Sequence, residues 1–400
     1  MMKYQRKWIG LSLLVLATAL THQTSASAQA TGISHAPQAS ATTSVVLPTW
    51  QYSTTSSVDG NPYKGWMVGR SPFYHGARTT NVPTYVVPVI VNMPDGGVFD
   101  PTLADSTCLG GSTPQTLFQQ SPLILKNTSF SFGATPVGTT QYTDAFQRGN
   151  FWNAPSNVAA TGNSYHTILG PVQTLPAVTV NVPLGLGATY QSTAYSSTGC
   201  GSFGVADFAT LDSILRTITL PTLIPSGISP ASLVIFLMYN VVEAYPGTNP
   251  SSQCCSLGYH GASAPANPTP TSPIQTYVTA DFDSTGLFGN ANIASISHQL
   301  AAWMDDPLSV SSVPLWVPPL SSIVTCQNVL DPGYPLIGFL LHPGAASSNV
   351  SAQTSTFTYD LQELAFYSWF YRQGPSLGVN GWFSTNNTLT TDAGAVCVGS

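Results

Sequence analysis

The chain has 400 residues and a formal net charge of −6, with only 6% of its residues charged although 43% are hydrophobic. Ordinary soluble domains carry roughly 25% charged residues, so Ser, Thr, Asn and Gln must make most of this surface polar. The acidic balance argues against nucleic acid as a partner, and two glutamates, Glu243 and Glu363, are all the chain offers for any mechanism needing a glutamate base.

Residues 1–30 read as a signal peptide: a basic start (Lys3, Arg6, Lys7), an apolar run from Ile9 to Leu20, and a small-residue tract ending at Ala30. The run is shorter than the ~20 residues that a membrane span needs, so no span is expected after cleavage. Removing three basic residues and no acidic ones moves the formal charge from −6 to −9. Residues 31–48 are Ser/Thr/Ala-rich with few large apolar side chains, which predicts a flexible lead-in.

Thr84–Val91 is short, β-branched and bounded by Pro83 and by Pro94-Asp95-Gly96-Gly97, the pattern of a buried strand and a turn. Within the β-rich part that spans residues 49–200, Thr140–Trp152 spaces Tyr142, Phe146 and Phe151 as a short helix would. Phe208, Leu211, Leu215 and Ile218 recur at three and four, predicting an amphipathic helix over 203–218. Leu233–Tyr239 is a continuous apolar run, the mark of a central strand covered on both faces. A proline-rich loop is expected over Pro265–Pro273, a strand over Ile274–Phe282, and a helix over Asn292–Met304. That helix carries Ile293, Ile296, Leu300 and Met304 on one face, Asn292 as its cap, and Pro307 as its stop. The C-terminal third is read as irregular. The fold class is α+β, in one or two tightly joined units divided near residue 200.

Six cysteines, Cys108, Cys200, Cys254, Cys255, Cys326 and Cys397, all follow the leader. An exported chain oxidises its thiols, so three disulfides are expected among 15 possible pairings. Adjacent Cys254 and Cys255 would close a strained ring together, which favours a distant partner for each.

A histidine on a helix and a carboxylate four residues later share one face and can both meet a metal. A glutamate directly after the histidine would then draw a proton from metal-bound water. The segment Ser297-His298-Gln299-Leu300-Ala301-Ala302-Trp303-Met304-Asp305-Asp306-Pro307 resembles the SHExxEWxxDP pattern of secreted, mostly uncharacterised bacterial proteins related to zincin metallopeptidases. Further matching segments are FDPT (99–102), TQYTDAFQRGNFW (140–152), CCSLGYHGA (254–262), CQNVLDPGYP (326–335) and LQELAFYSWF (361–370), spread over most of the chain. The resemblance implies a zincin-like mixed sheet over 201–400, in the order strand, loop, strand and then a helix with an exposed histidine. It also implies a third metal ligand after the CQ element, which here is Asp331.

This chain departs from the pattern at two positions, since Gln299 stands at the base position and Ala302 at the second ligand position. Glutamine takes no proton near neutral pH and alanine offers no ligand atom. Asp305 shares the face but lies about 10 Å along the axis at 1.5 Å per residue. His298 with Asp331 remains, and His260, expected in a loop beside a disulfide, is an extra ligand, a substrate-pocket residue or a structural histidine. Asp331 before Pro332-Gly333 is equally a turn-forming aspartate. For Glu363, pairing with a cation such as Arg372 is expected over a displaced catalytic acid, and the aromatics Phe366–Tyr371 read as core rather than as a sugar platform.

The residues therefore predict a secreted, extracellular or periplasmic zincin-like protein that is catalytically impaired, expects no cofactor, and binds a peptide or glycan. Two other readings stand beside it: an active zinc peptidase with ligands drawn from His260, His298 and Asp331, and a structural or adhesive envelope protein. No serine-hydrolase elbow, phosphate-binding loop or dinucleotide fingerprint stands in a fitting context.

Overall fold

The computed structural model describes residues 46–73, 78–154, 165–191, 200–244, 254–264, 273–286, 291–319, 326–336, 357–390 and 397. The expected leader, nearly all of the lead-in and the 265–272 loop lie outside the described residues. Among those residues no helix is long and apolar enough to cross a membrane.

The fold is mixed α+β, strand-rich with few helices, and it is built on a seven-stranded sheet. At its centre runs Leu233–Tyr239, buried at all seven positions and parallel to Gln275–Phe282 on one side and Arg78–Asn92 on the other. The alternation of side chains divides this strand between two cores. Leu233, Ile235 and Leu237 face the helices Tyr142–Asn150 and Ala294–Asp305, whereas Val234, Phe236 and Met238 face Leu211, Leu215, Leu220 and Leu223 of the 208–223 helical run. Each such side chain contributes about 1.5–3 kcal/mol by leaving water, which is why a run this apolar can occupy only this middle position. Gly258–Ser263 forms one end of the sheet, antiparallel to Gln275–Phe282. Arg78–Asn92 and Tyr165–Thr174 come from before residue 200 and the remaining long strands from after it, so both parts share one sheet.

Two boundaries differ from expectation. The strand expected to start after Pro83 begins at Arg78 and passes through the proline, with a register shift between Val82 and Thr84 where the missing N–H would have paired. The helix expected from 203 starts at Phe208, because Ser202–Asp207 is a strand of a second, four-stranded sheet between Gly187–Gln191 and Val241–Ala244. Asp207 then caps the helix by accepting from Thr210 N at 2.8 Å.

Two disulfides join Cys108 to Cys200 and Cys326 to Cys397. The side chains of Cys254 and Cys255, for each of which a distant partner was expected, lie outside the described residues. The aromatics Phe366, Tyr367, Trp369, Phe370 and Tyr371 are buried, most of them with Tyr52 and Trp316 in a further core, as expected. Glu363 does not pair with Arg372. Its carboxylate accepts from Ser384 Oγ (2.6 Å), Asn386 N (3.1 Å) and Thr388 Oγ1 (2.7 Å), while the Arg372 guanidinium lies 4.2 Å over the Trp369 ring. A carboxylate surrounded by hydroxyl and amide donors needs no cation.

Candidate functional site

The site is built on the helix Ala294–Asp305, which follows Gln275–Phe282 and is fastened to it by Ser295 Oγ donating to the Asp281 carbonyl at 2.8 Å. Ile296, Leu300 and Met304 are fully buried against the sheet, as their spacing requires. Asn292 is not the cap that the sequence suggested. It sits at φ +39°, and its side-chain oxygen accepts from Ile293 N (2.7 Å) and Asp360 N (2.9 Å), tying the helix start to the 357–366 segment. At the other end the Asp306 carboxylate accepts from Val310 N and Ser311 N, closing the turn beyond Pro307.

His298 stands on the flank of this helix and, at 7% exposure, is buried rather than exposed. Its Nε2 lies 2.6 Å from Asp331 Oδ1, so the two positions that the resemblance pairs meet across 33 residues of sequence. The same carboxylate oxygen accepts from Gly333 N (3.0 Å) and Tyr334 N (3.2 Å), so Asp331 shapes its own turn as well as holding the imidazole. Gly333 is required by close approach: a Cβ there would stand 2.4 Å from Cγ of the His298 ring. The 361–366 segment locks this turn, with Gln362 Nε2 donating to the Gly333 carbonyl and Ala365 N to the Pro332 carbonyl, both at 2.7 Å. Burial pushes the Asp331 carboxyl up, but His298, His260 and the Gly333 N–H together carry it below the usual carboxylate range. The Asp331 side chain keeps 24% of its exposure, so solvent reaches the pair from that side.

His260 lies in the strand Gly258–Ser263 rather than in a loop. Its Nε2 lies 3.0 Å from the Asp306 carbonyl. A carbonyl only accepts, so Nε2 carries the hydrogen and Nδ1 is left an acceptor. The Gln299 side chain hydrogen-bonds the same ring, and burial holds the imidazole below the ordinary histidine range. Ala302, one turn beyond His298, is fully buried and brings no polar atom. Asp305 turns away toward Gln147 and Asn150.

The donor set does not fit zinc. Two donor atoms meet at His298 and Asp331, whereas a catalytic zinc takes three protein ligands plus water. Among the described residues no group of three His, Cys, Asp or Glu side chains could hold a metal ion. Comparison of the chain with protein-family models, curated proteins and solved structures finds no match.

The sequence reasoning missed the Gly333 contact, the Gln362 clamp and the closing turn at Asp306. Asp-Pro-Gly was available as a clue to the first, since a glycine after a turn-forming aspartate implies either positive φ or a close neighbour. It also missed a second His–Asp pair. Asp144 Oδ2 meets His166 Nδ1 at 2.7 Å, and Arg148 Nη1 donates to His166 Nε2 at 3.0 Å, which accounts for the polar positions of TQYTDAFQRGNFW as internal scaffolding.

Proposed function

We propose that the chain is a secreted, zincin-like protein that has lost metal-dependent catalysis and acts through the surviving site as a binding protein for a peptide or glycan. The contact between His298 and Asp331 carries the reading, because the two retained positions of the pattern converge while the two lost ones, Gln299 and Ala302, lie beside them. The order of elements supports it: edge strand Gly258–Ser263, strand Gln275–Phe282, then the helix with His298. In this arrangement Asp331 occupies the hydrogen-bonding atom of His298 that a metal would otherwise take, and the Gln299 amide engages His260 in place of a base. Of the two ligand classes a peptide is favoured. Gly258–Ser263 ends its sheet, with no further strand on its outer side among the described residues, and an extended peptide can add to such an edge by main-chain hydrogen bonds.

The test is zinc content in the parent and in the double variant Gln299→Glu/Ala302→Glu. The parent should bind none, and the folded variant should bind measurably, since His298, the carboxylate placed at 302 and Asp331 would then form three ligands. Near-stoichiometric zinc in the parent would overturn the reading in favour of an active enzyme. A folded double variant without zinc would remove Asp331 from any metal-type site.

A further inference from the structure

Away from the His298 site, a second group of carboxyls lies in the interior where the two larger sheets adjoin. Glu243, on the strand Val241–Ala244, is 1% exposed, and among the described residues neither of its carboxyl oxygens has a hydrogen-bond partner. The groups facing it are Asp212 from the helix Phe208–Ser213 and Asp281 from Gln275–Phe282. Asp212 is fully supplied, its Oδ1 accepting from Tyr259 and Tyr277 hydroxyls at 2.8 and 2.6 Å and its Oδ2 from Arg216 at 3.0 Å. That consumes the cation and both phenols. Asp281 Oδ1 accepts from Val241 N at 3.0 Å, but among the described residues its Oδ2 has no partner, and neither does Oδ2 of neighbouring Asp283. Asp207, at the end of the adjoining strand, is committed to capping Thr210. A buried carboxylate with no donor beside two other carboxylates is a state that proteins avoid by keeping the proton.

We infer that the Glu243–Asp281 cluster holds protons rather than charge, making the fold one that acid stabilises. Asp212 has two phenol donors and Arg216, whereas Glu243 beside it has no donor among the described residues and is the protonated member. Burial, then Asp212 and Asp281, raise the Glu243 carboxyl, and burial with Asp283 raises Asp281. The sign follows from linkage. A folded value above the unfolded value means that the unfolded chain releases its proton first, so folding takes up a proton and weakens as pH rises. The contribution is complete below the unfolded value, about 4, and is lost as pH climbs toward the folded value. Each such group changes the folding constant by up to about tenfold per pH unit across that window.

With only two glutamates in the chain, carboxyl-13C glutamate labelling of the full chain yields two side-chain signals, and the Glu243→Gln variant assigns them by removing one. The Glu243 signal is expected to stay at the protonated shift well above about pH 4, where an exposed carboxyl ionises. Urea midpoints of the parent should fall between about pH 5 and pH 8, and Glu243→Gln, which carries no proton to lose, should show a smaller fall. Two glutamate signals that both ionise near pH 4–5 would overturn the inference, and that result needs only the parent protein, whether or not the variant folds. A folded Glu243→Gln variant with the parent's full pH dependence would overturn it equally.

Discussion

Gly333→Ala should damage the candidate site without replacing any of its polar side chains. The added methyl would stand 2.4 Å from Cγ and 2.6 Å from Nδ1 of His298, where favourable contact starts near ~3.5 Å, so something must move by about 1 Å. The turn resists through the two 2.7 Å hydrogen bonds that the 361–366 segment makes to Pro332 and Gly333. The ring resists through its 2.6 Å contact with Asp331. If the backbone yields, the cost is that of overpacking, about 1–3 kcal/mol. If the ring yields, a hydrogen bond to a charged group is lost, about 1.5–3 kcal/mol. A loss of about 1–3 kcal/mol in urea unfolding is expected, accompanied by a shift of the His298 ring resonances. A variant within about 0.5 kcal/mol of the parent, with those resonances unchanged, would show that the imidazole does not pack on residue 333.

Leu300→Ala, which empties a fully buried position under the sheet, should cost about 2–5 kcal/mol. His298→Ala should cost less, because Asp331 keeps its two backbone donors; the reverse order in urea unfolding would mean that the helix is rotated. Asp331 lies below the usual carboxylate range, so its contribution is present above the unfolded value near 4 and fades as pH falls through the folded value. Asp331→Asn should therefore be less stable than the parent at neutral pH, with the gap narrowing in acid, and a gap in thermal melting that does not narrow as pH falls below about 4 would contradict this. Glu363→Gln should lose about 1.5–3 kcal/mol by turning an amide donor toward the hydroxyl and amide donors of residues 384–388. Its double-mutant cycle with Arg372→Ala should show no coupling, whereas a coupling above about 1 kcal/mol would restore the ion pair.

The sequence alone located the main elements around the site, because their signals are local. Leu233–Tyr239 is apolar but for the Tyr239 hydroxyl at its end, so only a doubly covered strand could hold it, and the three-and-four spacing of Ile293, Ile296, Leu300 and Met304 set both the helix and the face it buries. It also exposed the two losses, Gln299 and Ala302, since the absence of a titrating or ligating atom is a property of the residue itself. Boundaries were less legible. Ser202–Asp207 is a strand because Gly187–Gln191 and Val241–Ala244 pair with it, and nothing within residues 202–207 announces those partners.

What the tertiary structure alone decided is which polar groups satisfy which. Asn292 looked like a cap and became a clasp on Asp360, and Glu363 looked like half of an ion pair and became an acceptor for a loop. His298 meets Asp331 across 33 residues, and Glu243 is left with no donor among the described residues. Hydrophobic periodicity repeats every two to four residues and is written along the chain. A hydrogen bond depends on distances of about 3 Å between atoms that only the packed fold brings together.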